Sequence, residues 1–170
     1  MSRDAVETER GEWHAPGANA RRALLRRART VAVVGASANP ARASNFVLIY
    51  LASSSADYEI WPVTPNEEEI LGLQAYPSLA DLPGEPDIVD VFRRADDLPG
   101  VAEEAVEAGA GTFWAQLGLH SDGAVRVAYE GGLDVVTNRC LKIEHARFAG
   151  GLHLAGFDTG VIDARRDPLV

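Results

Sequence analysis

The sequence holds a single cysteine, Cys140, which excludes an internal disulfide and a thiolate zinc cluster. No apolar run reaches the ~20 residues needed to span a bilayer. The start of the chain, with Asp4, Glu7, Glu9 and Glu12, has neither the basic end nor the apolar core of a secretion signal. A cytoplasmic protein with no membrane partner is the expectation. Positive charge is also short: a net charge of −9 argues against a nucleic-acid binder, although a local basic pocket can still hold a phosphorylated small molecule. With 46% hydrophobic and 24% charged residues, the 170-residue chain has the composition and length of one ordinary globular domain. The expected unit is 1–170, with a core at about 19–149, a flexible N-terminal arm at 1–18 and a C-terminal extension at 150–170.

What the chain does contain is organised around the stretch from Thr30 to Phe46. Thr30 to Val34 is a short, β-branched, apolar run, the composition of a strand buried on both faces of a parallel sheet. Gly35, Ala36 and Ser37 follow, small residues that let the chain turn sharply and a ligand approach the backbone. Ser44 stands where it can cap a helix whose apolar positions, Phe46, Val47, Ile49, Tyr50 and Leu51, fit a face packed on the sheet. Strand, turn and helix start together make a phosphate site, because free N–H groups and the positive end of the helix dipole converge there. The G-x-G-x-x-G dinucleotide fingerprint is missing, since Ser37 and Pro40 occupy its second and third glycine positions. A structural turn without a ligand is the alternative at this point.

Strands and helices alternate through the rest of the chain. Asn19 can cap a helix to about Ala28 whose Arg21, Arg22, Arg26 and Arg27 read as a solvated face. Further strands are expected at Tyr58–Val63, Asp87–Phe92, Thr112–Ala115 and Leu133–Val136, with helices from Pro99 to Ala108 and from about Asp122 to Glu130. A short connection runs from Gly72 to Leu82. Pro62 lacks a backbone donor and has to lie at an edge, a bulge or a strand end. The alternation predicts an α/β, Rossmann-like three-layer domain with a mostly parallel five-stranded sheet.

Open sheets of this kind bind ligands beyond the carboxyl ends of their strands, so the residues there are the site candidates. Pro65 and Asn66 offer an apolar wall and an amide. The preceding Val63-Thr64 supplies no acid for a nicotinamide ribose, which counts against an NAD(P)-dependent oxidoreductase while leaving it as an alternative. Phe92 and Arg93 suit a ring to stack and a phosphate to pair. Gln116, Leu117 and Gly118 form the loop after the fourth strand. Beyond the fifth, Arg139, Cys140, Lys142, Glu144 and His145 gather several reactive side-chain types. Cys140 reads either as a small packed residue or as a redox thiol flanked by cations. No spacing joins His145 to an acid, so no catalytic residue and no metal ligand is assigned.

Several of these motifs, in order over about residues 30–148, resemble the small stand-alone CoA-binding proteins, whose domain is similar to the N-terminal domain of the succinyl-CoA synthetase α subunit. They are Val33-Val34-Gly35-Ala36-Ser37 with Asn39-Pro40 and Arg42, the Pro62–Asn66 segment, Asp87–Arg93, Trp114–Gly118, and Asn138-Arg139-Cys140 with Glu144-His145. The resemblance implies strand order 3-2-1-4-5, with coenzyme A or an acyl-CoA lying across the strand ends. It implies that Gly35, Ala36 and Ser37 meet the pyrophosphate with Arg42 as a charged partner. Pro65, Asn66, Phe92 and Arg93 would surround the adenosine, and the loop of Gln116 and Gly118 would approach the pantetheine. The family usually reads Val-Asn-Pro at Val63-Thr64-Pro65, Asp-Arg-Cys at Asn138-Arg139-Cys140, and proline at Ala43. Asn138 thus removes a carboxylate able to orient Arg139. The synthetase also needs a domain bearing a phosphorylated histidine and a nucleotide-grasp partner, for which 170 residues leave no room. Binding without established catalysis is therefore the expected function. A thiol-redox role, with a mixed disulfide between Cys140 and CoA, stands as a further alternative, and a homo-oligomer or a partner protein is compatible with the chain.

Overall fold

The computed structural model describes residues 10–54 and 57–149. In chain order these form α1 (Ala18–Arg27), β1 (Thr30–Val34), α2 (Ala43–Ser53), β2 (Glu59–Val63), β3 (Glu69–Ile70), β4 (Leu73–Gln74), β5 (Ile88–Val91), α3 (Leu98–Glu107), β6 (Thr112–Ala115), α4 (Asp122–Glu130), β7 (Asp134–Val136) and α5 (Leu141–Ala149). Among the described residues no helix is long and apolar enough to cross a membrane.

The main sheet runs β2-β1-β5-β6-β7 with every pair parallel. Outside β2 a single parallel bridge joins Val63 to Tyr76: the Tyr76 N–H donates to the Pro62 carbonyl at 2.9 Å, and the Thr64 N–H to the Tyr76 carbonyl at 2.8 Å. Counting that segment as the third strand gives the 3-2-1-4-5 pattern, with β7 added at the far edge. The Asp87 segment, third of the full strands, lies inside, beside β1. Pro62 fits because the carbonyl and nitrogen of one strand residue point the same way. Its missing donor therefore faces the outer edge, where only Tyr76 joins. The segment between β2 and β5 is a small β3–β4 hairpin that turns through Leu71 and Gly72, followed by a 3-10 turn at Leu79–Asp81.

Strand alternation divides the core into two layers. Val31, Val33, Ile60, Ile88, Trp114 and Val136 face α1, α2 and α5, where they meet Leu24, Leu48, Leu51 and Leu141. Ala32, Val34, Val89, Val91, Phe113 and Val135 face α3 and α4, meeting Leu98, Ala102, Ala105 and Ala128. Both faces of every central strand are thus covered, as a parallel sheet requires.

Four expectations change. First, α1 begins at Ala18 with Gly17 rather than Asn19 at its N-cap. Its arginines are not simply a solvated face, because Arg21 is buried against Glu144 and Arg27 pairs with Asp134. Second, residues 10–17 are anchored rather than loose. Arg10 donates to the Leu133 carbonyl at 2.8 Å and the Gly132 carbonyl at 2.9 Å, its guanidinium lies 5.0 Å from the centroid of the Tyr129 ring, and the Trp13 indole donates to the Val135 carbonyl at 3.3 Å. Third, α2 buries Val47, Leu48 and Leu51 against the sheet but leaves Phe46 and Ile49 exposed. Fourth, the segment after β7, for which no helix was expected, becomes α5 from Leu141 onward. The rest of the arm and the extension at 150–170 lie outside the described residues.

Candidate functional site

The β1–α2 turn is shaped by its neighbours on both sides. Gly35 has φ +80°, and a Cβ added there would lie 2.2 Å from the Phe92 carbonyl oxygen, so the close approach of β5 permits no side chain at this position. The N–H groups of Gly35 and Ala36 both donate to the Val63 carbonyl, at 3.1 and 3.3 Å, and are not the free donors expected. Within the loop, Asn39 N–H is taken by Ser37 Oγ, Ala41 N–H by Asn39 Oδ1 and Arg42 N–H by the Asn39 carbonyl. The Asn45 side chain donates to the Ser37 carbonyl at 3.0 Å and ties the helix to the turn.

The free donors lie a few residues further on. α2 starts at Ala43 with Arg42 at its N-cap, no side chain caps it, and its first turn carries no acid. Ser44 is therefore not the cap but the second helical residue, buried at the site wall. The N–H groups of Ala43 and Ser44 come too early in the helix for an intrahelical acceptor. Together with the Arg42 guanidinium they form an open positive end.

That end opens into a cavity of about 1050 Å³ along the carboxyl ends of the strands, as large as the upper range of ligand pockets. Of the residues named from the sequence, Gly35, Ala36, Ser37, Arg42, Pro65, Asn66, Phe92, Arg93, Gln116 and Cys140 all line it. On the β2 side Pro65 and Asn66 are joined by Thr64, Glu67, Pro77 and Ser78. The last two are carried there by the Tyr76 bridge, a contact with no signal in the sequence. Arg93 is half-exposed, its Nε 3.9 Å from Asp97, so its guanidinium is only loosely engaged. On the opposite side, past β6, the wall is Gln116, Leu117, Leu119, Cys140, Lys142 and Ile143.

Gly118 is not on the wall. Its N–H donates to Asn138 Oδ1 at 2.8 Å, and the Asn138 N–H donates to the Leu119 carbonyl at 3.0 Å. Asn138 has φ +54°, a left-handed conformation that asparagine tolerates. Its amide oxygen supplies the acceptor that fixes this loop, so a carboxylate at 138 is not required for that contact.

Three buried polar groups lie behind the wall. Asp90 is fully buried in β5 and receives one hydrogen bond, from Gln116 Nε2 to Oδ1 at 2.5 Å, while Oδ2 has no partner. Burial pushes its carboxyl up to about 8, against the smaller opposing pull of the Gln116 amide. Glu144 is met by Arg21 at 2.8 Å, Arg147 at 3.4 Å and Arg139 at 3.9 Å. His145 does not reach the cavity. Its Nδ1 is 2.8 Å from the Tyr50 hydroxyl, its ring stands edge-on to Tyr50 and Tyr58, and burial lowers its basicity, so it is a packed core histidine.

The chain is 45% identical over 123 residues to the protein YneT of Bacillus subtilis, an alignment covering 72% of this chain and 90% of that one. It is 31% identical over 103 residues to the ADP-forming acetate–CoA ligase II of Archaeoglobus fulgidus, covering 60% of this chain but 15% of the ligase. A solved structure, a hypothetical protein from Pyrococcus horikoshii, superposes with a TM-score of 0.74 at 34% identity, covering 82% of this chain and 99% of that one. Residues 29–146 match the model of the CoA binding domain, and the chain belongs to that family.

Proposed function

We propose that the cavity binds coenzyme A in an extended pose across the strand ends. The observation that carries this reading is the uncapped, acid-free start of α2, where the Ala43 and Ser44 N–H groups and Arg42 converge on a cavity whose volume suits a nucleotide and an arm. The diphosphate sits at that helix end, with Ser37 and Arg42 beside it. The adenosine lies among Pro65, Asn66, Phe92 and Arg93, with the Phe92 ring able to stack on the base and Arg93 free to turn towards a phosphate. The pantetheine runs the other way, past Gln116 towards Cys140. Its amides meet a side chain already fixed, because donation to Asp90 orients the Gln116 amide. When bound, the ligand supplies a thiol able to carry acyl groups as thioesters. The chain's own residues bind and orient it.

Titration calorimetry of the full chain with coenzyme A, dephospho-coenzyme A and NAD tests this reading. Coenzyme A is expected to bind tightest, and Arg42→Ala to weaken it roughly 10- to 100-fold by removing a charge-assisted contact. Tighter binding of NAD would falsify the reading.

A further inference from the structure

Among the described residues five large apolar side chains are exposed, and three of them, Phe46, Leu117 and Ile143, line the cavity. Their exposures are 56%, 65% and 44%. They come from separate elements, the first turn of α2, the loop after β6 and the first turn of α5, so the clustering is not the stripe of one amphipathic helix. α2 makes the point more sharply. It is apolar around most of its circumference, a pattern that belongs to an enclosed helix, yet Phe46 is open at the cavity wall. Water-facing apolar walls inside a concavity mark a surface that something apolar covers.

The position of this wall says what covers it. Leu117 follows Gln116, and Ile143 follows Cys140 and Lys142, so both stand where the pantetheine ends if coenzyme A lies as proposed above, the reading on which this step rests. A bare thiol has one polarisable atom to place there and leaves these side chains wet. We propose that the wall takes the acyl chain of an aliphatic acyl-CoA, whose methylenes lie against Phe46, Leu117 and Ile143 beyond the thioester. A second copy of the chain is the competing cover. The concave setting favours the ligand, because the three side chains line one cavity, which a chain continuing from the sulfur enters without another protein surface.

The test is calorimetry on the full chain with coenzyme A and its acetyl, butanoyl, hexanoyl and octanoyl thioesters. Affinity is expected to rise about two- to fourfold for each methylene covered, until the wall is spanned. Ile143→Asp and Leu117→Asp, both at exposed positions, are expected to flatten that rise, with thermal melting run alongside to show that the variants fold. A flat wild-type series with coenzyme A still bound overturns the acyl wall and leaves the coenzyme A site standing. Failure of coenzyme A and every thioester to bind overturns both. A flat series accompanied by a dimer that Ile143→Asp dissociates in sedimentation assigns the wall to a second copy instead.

Discussion

Asp90 and Glu144 are both carboxyl side chains shut away from water on the same side of the sheet, and the protein treats them in opposite ways. Glu144 receives three guanidinium groups from α1, α5 and the loop before α5, so its charge is matched where it lies. Asp90 receives one amide and keeps an oxygen without a partner, so the neutral acid is favoured. One acid fastens α1 to α5. The other sets the orientation of a single side chain, Gln116, on the wall of the cavity.

The largest expected effect comes from discharging the matched acid. Glu144→Gln leaves the Arg21 guanidinium buried without its counter-charge, and such a half-broken pair costs about 3 to 5 kcal/mol in denaturant unfolding. A loss below about 1 kcal/mol would mean that the pair is well hydrated, and the contrast with Asp90 would vanish.

Asp90 is expected to show itself through pH. Burial pushes its folded carboxyl up to about 8, above the ordinary value of 3.8. The folded state therefore holds a proton that the unfolded state has released. The resulting stability is complete below about pH 4, falls as pH rises through the interval and levels above about 8, at on the order of 1 kcal/mol per pH unit within it. Asp90→Asn, which keeps an acceptor for Gln116, is expected to remove that slope, making the variant relatively more stable at pH 7 than at pH 5 by about 2 kcal/mol compared with wild type. Parallel curves for the two proteins would mean that Asp90 is charged in the fold. The smallest effect belongs to the outer member of the Glu144 cluster. Arg139 is partly exposed and 3.9 Å from the carboxylate, so Arg139→Ala is expected to cost about 0.5 kcal/mol in the same unfolding measurement.

The same two acids mark how far the sequence could be read. The β-branched runs at Thr30, Asp87 and Thr112 and the small-residue turn at Gly35 announce a parallel sheet, because burial on both faces leaves a local composition. α5 left no such trace. Its buried positions Leu141, Glu144, His145 and Phe148 follow a helical spacing, but two of them are polar. Their burial rests largely on Arg21 and Tyr50, which arrive from other elements. The turn itself was legible, yet which N–H groups it leaves open depended on the Val63 carbonyl, which comes from another strand and occupies Gly35 and Ala36. The apolar residues of α2 could be counted, but what separates Phe46 from Val47 is the packing of the sheet, which covers Val47 and leaves Phe46 open. In each case the missing information was a long-range partner.

Pro62 carries a consequence of another kind. With Tyr76 already on its carbonyl and no N–H to offer beside it, the outer border of β2 presents an interrupted row of donors. An extended segment from another molecule finds no continuous ladder there on which to add. The residue that looked awkward inside a strand thus guards this border against edge-to-edge growth into aggregates, and a Pro62→Val change would give the strand back the donor on which such growth depends.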